Sequence, residues 1–332
     1  MLRIAHFAGG ITGSSGAGSR TRATVRDDVE TTDEVDRDLI RDVVRRVEPG
    51  ATLARTWEVA GGVSAQVTAI EFLHSDGRAT KAIVRRHGAA DRARNPHIAR
   101  DEFRVLEIAR ARGIGVPRPL LFDESCEVLP TPYVVVEFVE GETAFAPDDP
   151  AGFATVAADQ LAIIHGVRRS SDLAFLPEIG RGFGERPAVL DATMGEDRIR
   201  KALEAAWPLV RVNEAVLLHG DFWPGNLLWR DGCLVAVIDW EDAAIGDPLA
   251  DLANGRLEFL WWLGNEAMNA LTEHYRLLTR RDVAQLAYWD LCAALRPCSK
   301  LSNWGLDEET ECRLRGRHQQ FVTCALDALS FW

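Results

Sequence analysis

Three polar side chains with the chemistry to handle phosphate and a metal ion lie close together in the sequence. Asp221 and Asp239 each follow a short apolar, β-branched run, and Asn226 lies between them. Side chains at strand ends are displayed to ligands. An Asp231-Gly232 pair between the two runs is a hairpin signal that folds the chain back on itself. We therefore expect Asp221, Asn226 and Asp239 to occupy one small volume.

These three residue types indicate two kinds of chemistry. Carboxylate and amide oxygens are hard ligands, the type that Mg²⁺ takes when most of its shell is left to water and substrate phosphates. One of the two carboxylates could instead accept a hydrogen bond from an attacking hydroxyl group. The cluster is therefore a candidate site for metal-assisted chemistry on a phosphate.

The same stretch carries four ordered motifs, and together they resemble a known family. They are His219-Gly220-Asp221, Asn226, Ile238-Asp239-Trp240-Glu241 and Gly246-Asp247-Pro248. In this order they resemble the aminoglycoside phosphotransferase and choline kinase-like family, relatives of the protein kinases. The resemblance implies an α+β, bilobal protein-kinase-like fold, with a small N-terminal β-sheet lobe that includes a helix and a larger, mostly helical C-terminal lobe.

The resemblance also assigns a reaction. It implies ATP- and Mg²⁺-dependent transfer of the γ-phosphoryl group to a hydroxyl of a small molecule, with an aminoglycoside-like or other amine-bearing acceptor as a candidate. Asp221 is the expected catalytic residue that accepts or orients the hydroxyl. Asn226 and Asp239 are the expected metal ligands.

Upstream, two strand patterns flank a glycine-containing turn, Gly61-Gly62 followed by Ser64. Backbone N–H groups approach a phosphate closely where no Cβ intervenes, and the turn resembles the family's shortened glycine loop. The next strand should supply the cation that grips the α and β phosphates. Kinase relatives use lysine and many members of the resembling family use arginine at the matching place, so Arg85 is our choice and Lys81 the competitor. Residues four apart share one face of a strand, so strand geometry does not decide between them.

The resemblance completes the nucleotide site with three further residues. Glu102, on a predicted helix, is expected to pair with the strand cation. Backbone groups at Glu137 and Val139 are expected to meet the adenine edge at the hinge between the lobes. The predicted organisation is a flexible leader at 1–30, a nucleotide-binding lobe at 31–137 and a catalytic and acceptor-binding lobe at 138–332.

Other polar residues in the second lobe have structural interpretations. His165 and His219 are expected to support the catalytic loop rather than to catalyse, and Asp247 to cap a helix that begins at Pro248. By resemblance, Asp251 braces the backbone of the catalytic loop. The rest of the chain is predicted to be helical, in the segments Leu249–Trp262, Glu266–Leu278, Arg281–Leu295 and Glu308–Leu329. Its acidic residues Asp290, Asp307, Glu308 and Glu309 are candidates to meet an amine.

Composition excludes several classes. The 332 residues are 47% hydrophobic with a net charge of −12, which argues against a nucleic-acid binder that must neutralise phosphates. No apolar run approaches the length of a membrane span. The six cysteines form no CxxC pair and are expected to be reduced thiols. We expect a soluble, cytoplasmic protein whose partner is a small-molecule hydroxyl acceptor.

Three alternatives stay open. The first is the same reaction with another acceptor: a macrolide, choline, ethanolamine, homoserine or a sugar-like metabolite. The second is a catalytically silent, nucleotide-binding pseudokinase, against which the intact Asp221, Asn226 and Asp239 argue. The third is a metallophosphoesterase, which needs more histidine ligands than the eight dispersed histidines provide. The sequence leaves the oligomeric state and the preference for ATP over GTP open.

Overall fold

A computed structural model describes residues 29–59, 65–180, 182–210 and 212–329. The chain divides into two compact units. The first holds the described residues up to Phe103 together with Pro119–Phe138, and the second holds Arg104–Arg118 and the residues from Val139 onward. The predicted leader falls almost entirely outside the described residues, as do Gly61, Gly62 and Ser64.

The first unit is built on a five-stranded antiparallel sheet, with strands in the spatial order β1-β2-β3-β5-β4. The elements in chain order are α1 (Val29–Val47), β1 (Thr52–Glu58), β2 (Ala65–Leu73), β3 (Ala79–His87), α2 (Ala89–Arg94), α3 (Ile98–Ala111), β4 (Pro119–Asp123) and β5 (Tyr133–Glu137). The helix α3 begins in this unit. The predicted small sheet lobe with a helix is therefore confirmed.

One face of this sheet is covered by α1. The helix has apolar residues at helical spacing, and Ile40, Val43 and Val44 are buried in one cluster with Ile70 and Phe72 of β2. Charged residues such as Arg45 occupy the opposite, exposed side of the helix. This separation of apolar and charged faces is why the segment folds as a helix packed on the sheet.

The second unit is mainly helical. Its helices are α4 (Pro150–His165), α5 (Glu196–Ala206), α6 (Pro248–Leu263), α7 (Asn265–Thr279), α8 (Leu286–Leu295) and α9 (Glu308–Leu329). Its strands are β6 (Val216–Leu218), β7 (Leu227–Arg230), β8 (Cys233–Val237) and β9 (Ala244–Gly246). Single turns of 3₁₀ helix occur at Ser171–Leu173, Ala192–Met194, Pro224–Asn226 and Leu301–Asn303. The fold as a whole is α+β, as predicted.

The four short strands form two antiparallel pairs, β6 with β9 and β7 with β8. The β7–β8 pair is the hairpin that Asp231-Gly232 predicted. Both turn residues have positive φ, 51° at Asp231 and 75° at Gly232, as a two-residue hairpin turn requires.

Helix boundaries follow local side-chain chemistry. The Asp247 carboxylate accepts the N–H of Leu249 at 3.0 Å and caps α6, as expected. The prediction that a helix begins at Arg281 is wrong, because α8 begins at Leu286. The Asp282 side chain accepts the N–H of Ala284 at 2.8 Å, and such a local bond competes with the helix.

None of the described helices is both long and apolar enough to cross a membrane.

The packing of α1 gives the first prediction. Val44 is fully buried, so Val44→Ala removes apolar contacts and leaves a cavity. We expect a loss of about 1.5 to 3 kcal/mol in the free energy of unfolding, measured by urea denaturation. The neighbouring exposed Arg45 is the control, and Arg45→Ala should change stability by less than about 0.5 kcal/mol. Equal effects of the two substitutions would contradict the packing.

Candidate active site

The His219-Gly220-Asp221 segment follows β6 directly, and a buried carboxylate holds its backbone. Asp251, in the first turn of α6, accepts the N–H of His219 at 2.6 Å through Oδ2 and the N–H of Gly220 at 2.9 Å through Oδ1. Both oxygens of one rigid side chain therefore fix two consecutive peptides. This is the brace that the resemblance implied for Asp251.

Gly220 is required by the backbone of this loop. Its φ is +83°, in the left-handed region, and a Cβ built on it would lie 2.0 Å from the carbonyl oxygen of Asp242. Any other residue would force this backbone contact apart.

The three residues singled out from the sequence come together beyond this brace. Asn226 Nδ2 donates to the main-chain oxygen of Asp221 at 2.8 Å and lies 3.4 Å from its Oδ2. The N–H of Ile238 donates to the main-chain oxygen of Asn226 at 3.0 Å, which places Asp239 beside Asn226 along the chain that leaves β8. All three side chains are buried.

Asp239 itself is held in an uncommon conformation. Its φ is +69°, a region that costs an L-residue about 1 to 2 kcal/mol and that aspartate tolerates better than most. Two hydrogen bonds hold the backbone carbonyls that come just before it. His219 Nε2 donates to Ile238 O at 3.0 Å, and Trp240 Nε1 donates to Val237 O at 3.1 Å. His219 therefore has the supporting contact expected of it.

The donor set fits a hard divalent cation. Asn226 Oδ1 is buried and accepts no hydrogen bond from the part of the chain that the structure describes. Its Nδ2 is committed to Asp221, so the amide orientation leaves its oxygen for a ligand. An amide oxygen beside the Asp239 carboxylate is the kind of pair that binds Mg²⁺ together with water and phosphate.

Behind the loop, Asp251 belongs to a buried chain of hydrogen bonds. His165 Nε2 donates to Asp251 Oδ2 at 3.3 Å, and the Tyr275 hydroxyl donates to His165 Nδ1 at 2.6 Å. Burial lowers the pKa of His165, although Asp251 partly opposes this. Burial also pushes the pKa of Asp251 upward, but hydrogen bonds from His165 and the backbone outweigh it, and the net pKa is below its usual range.

The structure adds to this loop a residue that the sequence did not reveal. Arg296 follows α8, and its Nη1 donates to Gly220 O at 2.8 Å while its Nη2 lies 3.2 Å from Asp221 Oδ1. Nothing in the local sequence marks this arginine, because its partners lie far away in the chain. Only the packing of α8 brings it to the loop.

In the first unit, Arg85 and Glu102 form a buried ion pair, with Nη1 and Oε1 separated by 2.8 Å. His87 Nε2 lies 3.0 Å from the second carboxylate oxygen, Glu102 Oε2. His87 was not singled out from the sequence, although its position two residues after Arg85 places it on the same face of β3.

The competitor for the role of Arg85 has different surroundings. Lys81 Nζ lies 5.5 Å from the centre of the Phe138 ring, a cation–π distance. Glu137 is the last residue of β5 and pairs with Ala82 of β3. Val139 is the first residue of the second unit after the sheet ends.

Asp290 does not lie on the surface where an amine would meet it. Its carboxylate is buried, and Arg256 Nε lies 3.0 Å from Oδ1. Arg256 Nη2 also donates to Oδ2 at 3.1 Å. The interpretation of Asp290 as an acceptor contact is therefore wrong, since the residue joins α6 to α8.

The chain combines a five-stranded sheet unit that holds a buried Arg–Glu pair with a helical unit that holds a braced His-Gly-Asp loop, and this combination is typical of a kinase-like fold. The chain matches the phosphotransferase enzyme family over residues 58–297. This is more than half of the chain, and the protein belongs to that family.

Individual proteins that resemble this chain include one sequence relative and two solved structures. The human acyl-CoA dehydrogenase family member 11 is 27% identical over 178 residues, which is 48% of this chain and 23% of that protein. The macrolide 2'-phosphotransferase MphH from Brachybacterium faecium superposes with a TM-score of 0.56 at 19% identity, covering 88% of this chain and 98% of its own. Amicoumacin kinase hAmiN, in complex with AMP-PNP, Ca²⁺ and Ami, gives a TM-score of 0.58 at 14% identity, with 90% and 96% covered. The chain spans about a quarter of the length of the human relative, and the structural likeness shows the fold.

The buried network predicts a loss of stability in acid. Because the pKa of His165 in the folded protein lies below its ordinary 6.5, the unfolded chain binds more protons as the pH falls, so the contribution is present above pH 6.5 and is lost below it. We expect the melting temperature to fall between about pH 7 and about pH 5, and the fall to be smaller in His165→Gln. The melting temperature of His165→Gln should still fall somewhat with falling pH, because burial also lowers the pKa of His318. Parallel curves for the two proteins would contradict the assignment to His165.

Proposed function

We propose that this protein transfers the γ-phosphoryl group of ATP, with Mg²⁺, to a hydroxyl group of a small molecule. The observation that carries the proposal is that Asp221, Asn226 and Asp239, all buried, are brought together by hydrogen bonds next to a loop that Asp251 fixes. Phosphoryl transfer depends on positioning and charge stabilisation more than on a strong nucleophile. A loop held at two consecutive peptides suits that requirement.

Asp221 is assigned to the acceptor hydroxyl. Its carboxylate accepts the hydroxyl hydrogen bond and aims the oxygen at the γ-phosphorus. The new bond joins the acceptor oxygen to phosphorus, and the bond from phosphorus to the β–γ bridging oxygen breaks, so ADP leaves with that electron pair. The hydroxyl proton passes to Asp221 and then to solvent.

Asn226 and Asp239 are assigned to the metal. The uncommitted Asn226 Oδ1 and the Asp239 carboxylate would hold Mg²⁺, which when bound offsets negative charge on the β and γ phosphates. The amicoumacin kinase complex with a nucleotide analogue and Ca²⁺ supports joint use of a nucleotide and a divalent cation on this fold.

The first unit is assigned to the nucleotide. Arg85 is proposed to grip the α and β phosphates, because its ion pair with Glu102 is buried and such a pair fixes the guanidinium in one place. Lys81, stacked on Phe138, is the weaker candidate. The glycine turn at Gly61, Gly62 and Ser64 and the backbone at Glu137 and Val139 keep their proposed contacts with phosphate and adenine.

The acceptor is proposed at the level of a class. Relatives on this fold are named for macrolide and amicoumacin substrates, so a small molecule with a free hydroxyl is the shared feature. An amine-bearing acceptor remains one candidate. We propose a cytoplasmic enzyme organised as the two predicted lobes, with no nucleic-acid partner.

The test is ADP release from ATP and Mg²⁺ across aminoglycosides, macrolides, choline, ethanolamine, homoserine and sugars. Acceptor-stimulated ADP formation supports the proposal and names the acceptor class. ATP-independent release of inorganic phosphate from a phosphoester would overturn it in favour of a hydrolase. Tight nucleotide binding without any phosphoryl transfer across a widened panel would favour a pseudokinase.

Replacing the catalytic carboxylate gives the third prediction. Asp221→Asn keeps the side-chain shape but weakens the proton acceptor, so we expect turnover to fall by about 10²–10⁴. Nucleotide binding, followed by calorimetry, should stay close to that of the parent protein. Asp231→Asn in the exposed hairpin turn is the matched control and should keep full turnover. Near-normal turnover of Asp221→Asn would remove Asp221 from its role.

The metal site gives the fourth prediction. Asp239→Ala removes a carboxylate ligand, and we expect the Mg²⁺-dependent part of AMP-PNP affinity to disappear. Calorimetric titrations with Mg²⁺ and with EDTA measure that part directly. If Mg²⁺ still strengthens AMP-PNP binding to the same degree in the variant, Asp239 is not a ligand.

A further inference from the structure

Arg296 is the cation in direct contact with Asp221, and it reaches two successive residues of the loop at once. Nη1 donates to Gly220 O at 2.8 Å, and Nη2 donates to Asp221 Oδ1 at 3.2 Å. Asp251 holds the N–H groups of the same loop. Asp251 of α6 thus holds the N–H groups of the loop. Arg296, at the end of α8, holds the Gly220 carbonyl and the Asp221 side chain.

The Asp221 carboxylate, which Arg296 contacts, is largely shielded from water. The Asp221 side chain is 5% exposed, whereas that of Arg296 is 35% exposed. A buried carboxylate that loses its charge partner is costly. An exposed ion pair of similar length would contribute little, so the burial of Asp221 is what makes this contact matter.

The Arg296 side chain extends from a stretch of backbone that is itself held in place. Arg296 N–H donates to Ala293 O at 3.1 Å, closing α8. The following Cys298 is buried, and its thiol donates to Ala294 O at 3.5 Å. Side chains carried by such supported elements hold their geometry better than those on free loops.

We propose that Arg296 is the positioning residue for the catalytic carboxylate. By occupying Asp221 Oδ1 it leaves Oδ2, which among the described residues has only the 3.4 Å approach of Asn226 Nδ2, to accept the hydrogen bond of the acceptor hydroxyl. The assignment rests on the proposed phosphoryl transfer. It adds a residue from the end of α8, outside the segment that carries the family motifs.

A different role for Arg296 makes different demands. If Arg296 gripped the phosphoryl group or the acceptor directly, its loss would raise the KM for that ligand. The effect would then be independent of Asp221. A positioning residue instead lowers kcat, leaves the KM for ATP unchanged and loses its effect once Asp221 has been replaced.

The experiment compares Arg296→Ala, Arg296→Lys and a matched control, Arg276→Ala, whose side chain is exposed and pairs with Glu273. With the best acceptor of the panel, we expect Arg296→Ala to lower kcat by about 10²-fold. Arg296→Lys should retain only part of the activity, because the lysine ammonium cannot hold Gly220 O and Asp221 Oδ1 at the same time. Guanidinium chloride should restore turnover to Arg296→Ala but not stimulate the parent, and Arg276→Ala should match the parent.

The double variant decides between positioning and direct contact. In an Asp221→Asn background, Arg296→Ala should reduce kcat little further, because the two residues act as one unit. A full, independent reduction in that background would overturn the proposal. So would a rise in the acceptor KM with kcat unchanged.

Hydrogen exchange tests the inference without turnover. Arg296→Ala should speed amide exchange across residues 219–226, while Mg²⁺ and AMP-PNP still raise the melting temperature as in the parent. Unchanged exchange in that segment would overturn the positioning role. A parent protein that is silent with every acceptor would count against the proposed function instead, and the exchange result would still decide on Arg296.

Discussion

The Asp251 carboxylate, buried and hydrogen-bonded to the N–H groups of His219 and Gly220, is the constraint on which the candidate site depends. It turns the start of α6 into a clamp on the His219-Gly220-Asp221 loop. The clamp needs glycine at position 220, where a side chain would collide with Asp242 O. Behind it, His165 Nε2 donates to Asp251 Oδ2, and burial lowers the pKa of that imidazole.

Both units keep ion pairs in their interiors. Arg85 and Glu102 pair in the first unit, and Arg256 and Asp290 pair in the second. Desolvation offsets much of the attraction in such pairs, so they are weak evidence for stability. Their value lies in geometry, because a fork-shaped guanidinium held by a carboxylate has one orientation. One pair fixes a proposed phosphate contact, and the other fixes α8 against α6.

Sequence reasoning worked where partners are close along the chain. The Asp231-Gly232 turn predicted the β7–β8 hairpin, and the hairpin in turn predicted that Asn226 and Asp239 would be neighbours. It failed for Arg296, whose contacts with Gly220 and Asp221 depend on tertiary packing with no local pattern. It also misjudged Asp290, because a carboxylate on a helix looks solvated until its buried partner is known.

The start of α8 shows the same limit at the level of secondary structure. Periodicity alone extended the helix back to Arg281, but the Asp282 side chain satisfies the N–H of Ala284 instead. The strand β4 and the helices α2 and α5 were not predicted, since short elements carry few periods of any pattern. The combination of a sheet unit with a helical unit was expected from the family motifs rather than from local patterns.

The clamp has a further consequence for how this chemistry is inherited. Strand β6, the loop, the hairpin, strand β9 and the capped start of α6 form one uninterrupted stretch of chain, and its two ends contact each other through the β6–β9 pair and the Asp251 hydrogen bonds. Recombination or gradual divergence elsewhere leaves that stretch whole. Helices α7 to α9 lie beyond it, and they support the site through Tyr275 of α7 and through Arg296 after α8. On the proposed function, substitutions at the exposed surfaces of these helices leave the residues assigned to phosphoryl transfer in place.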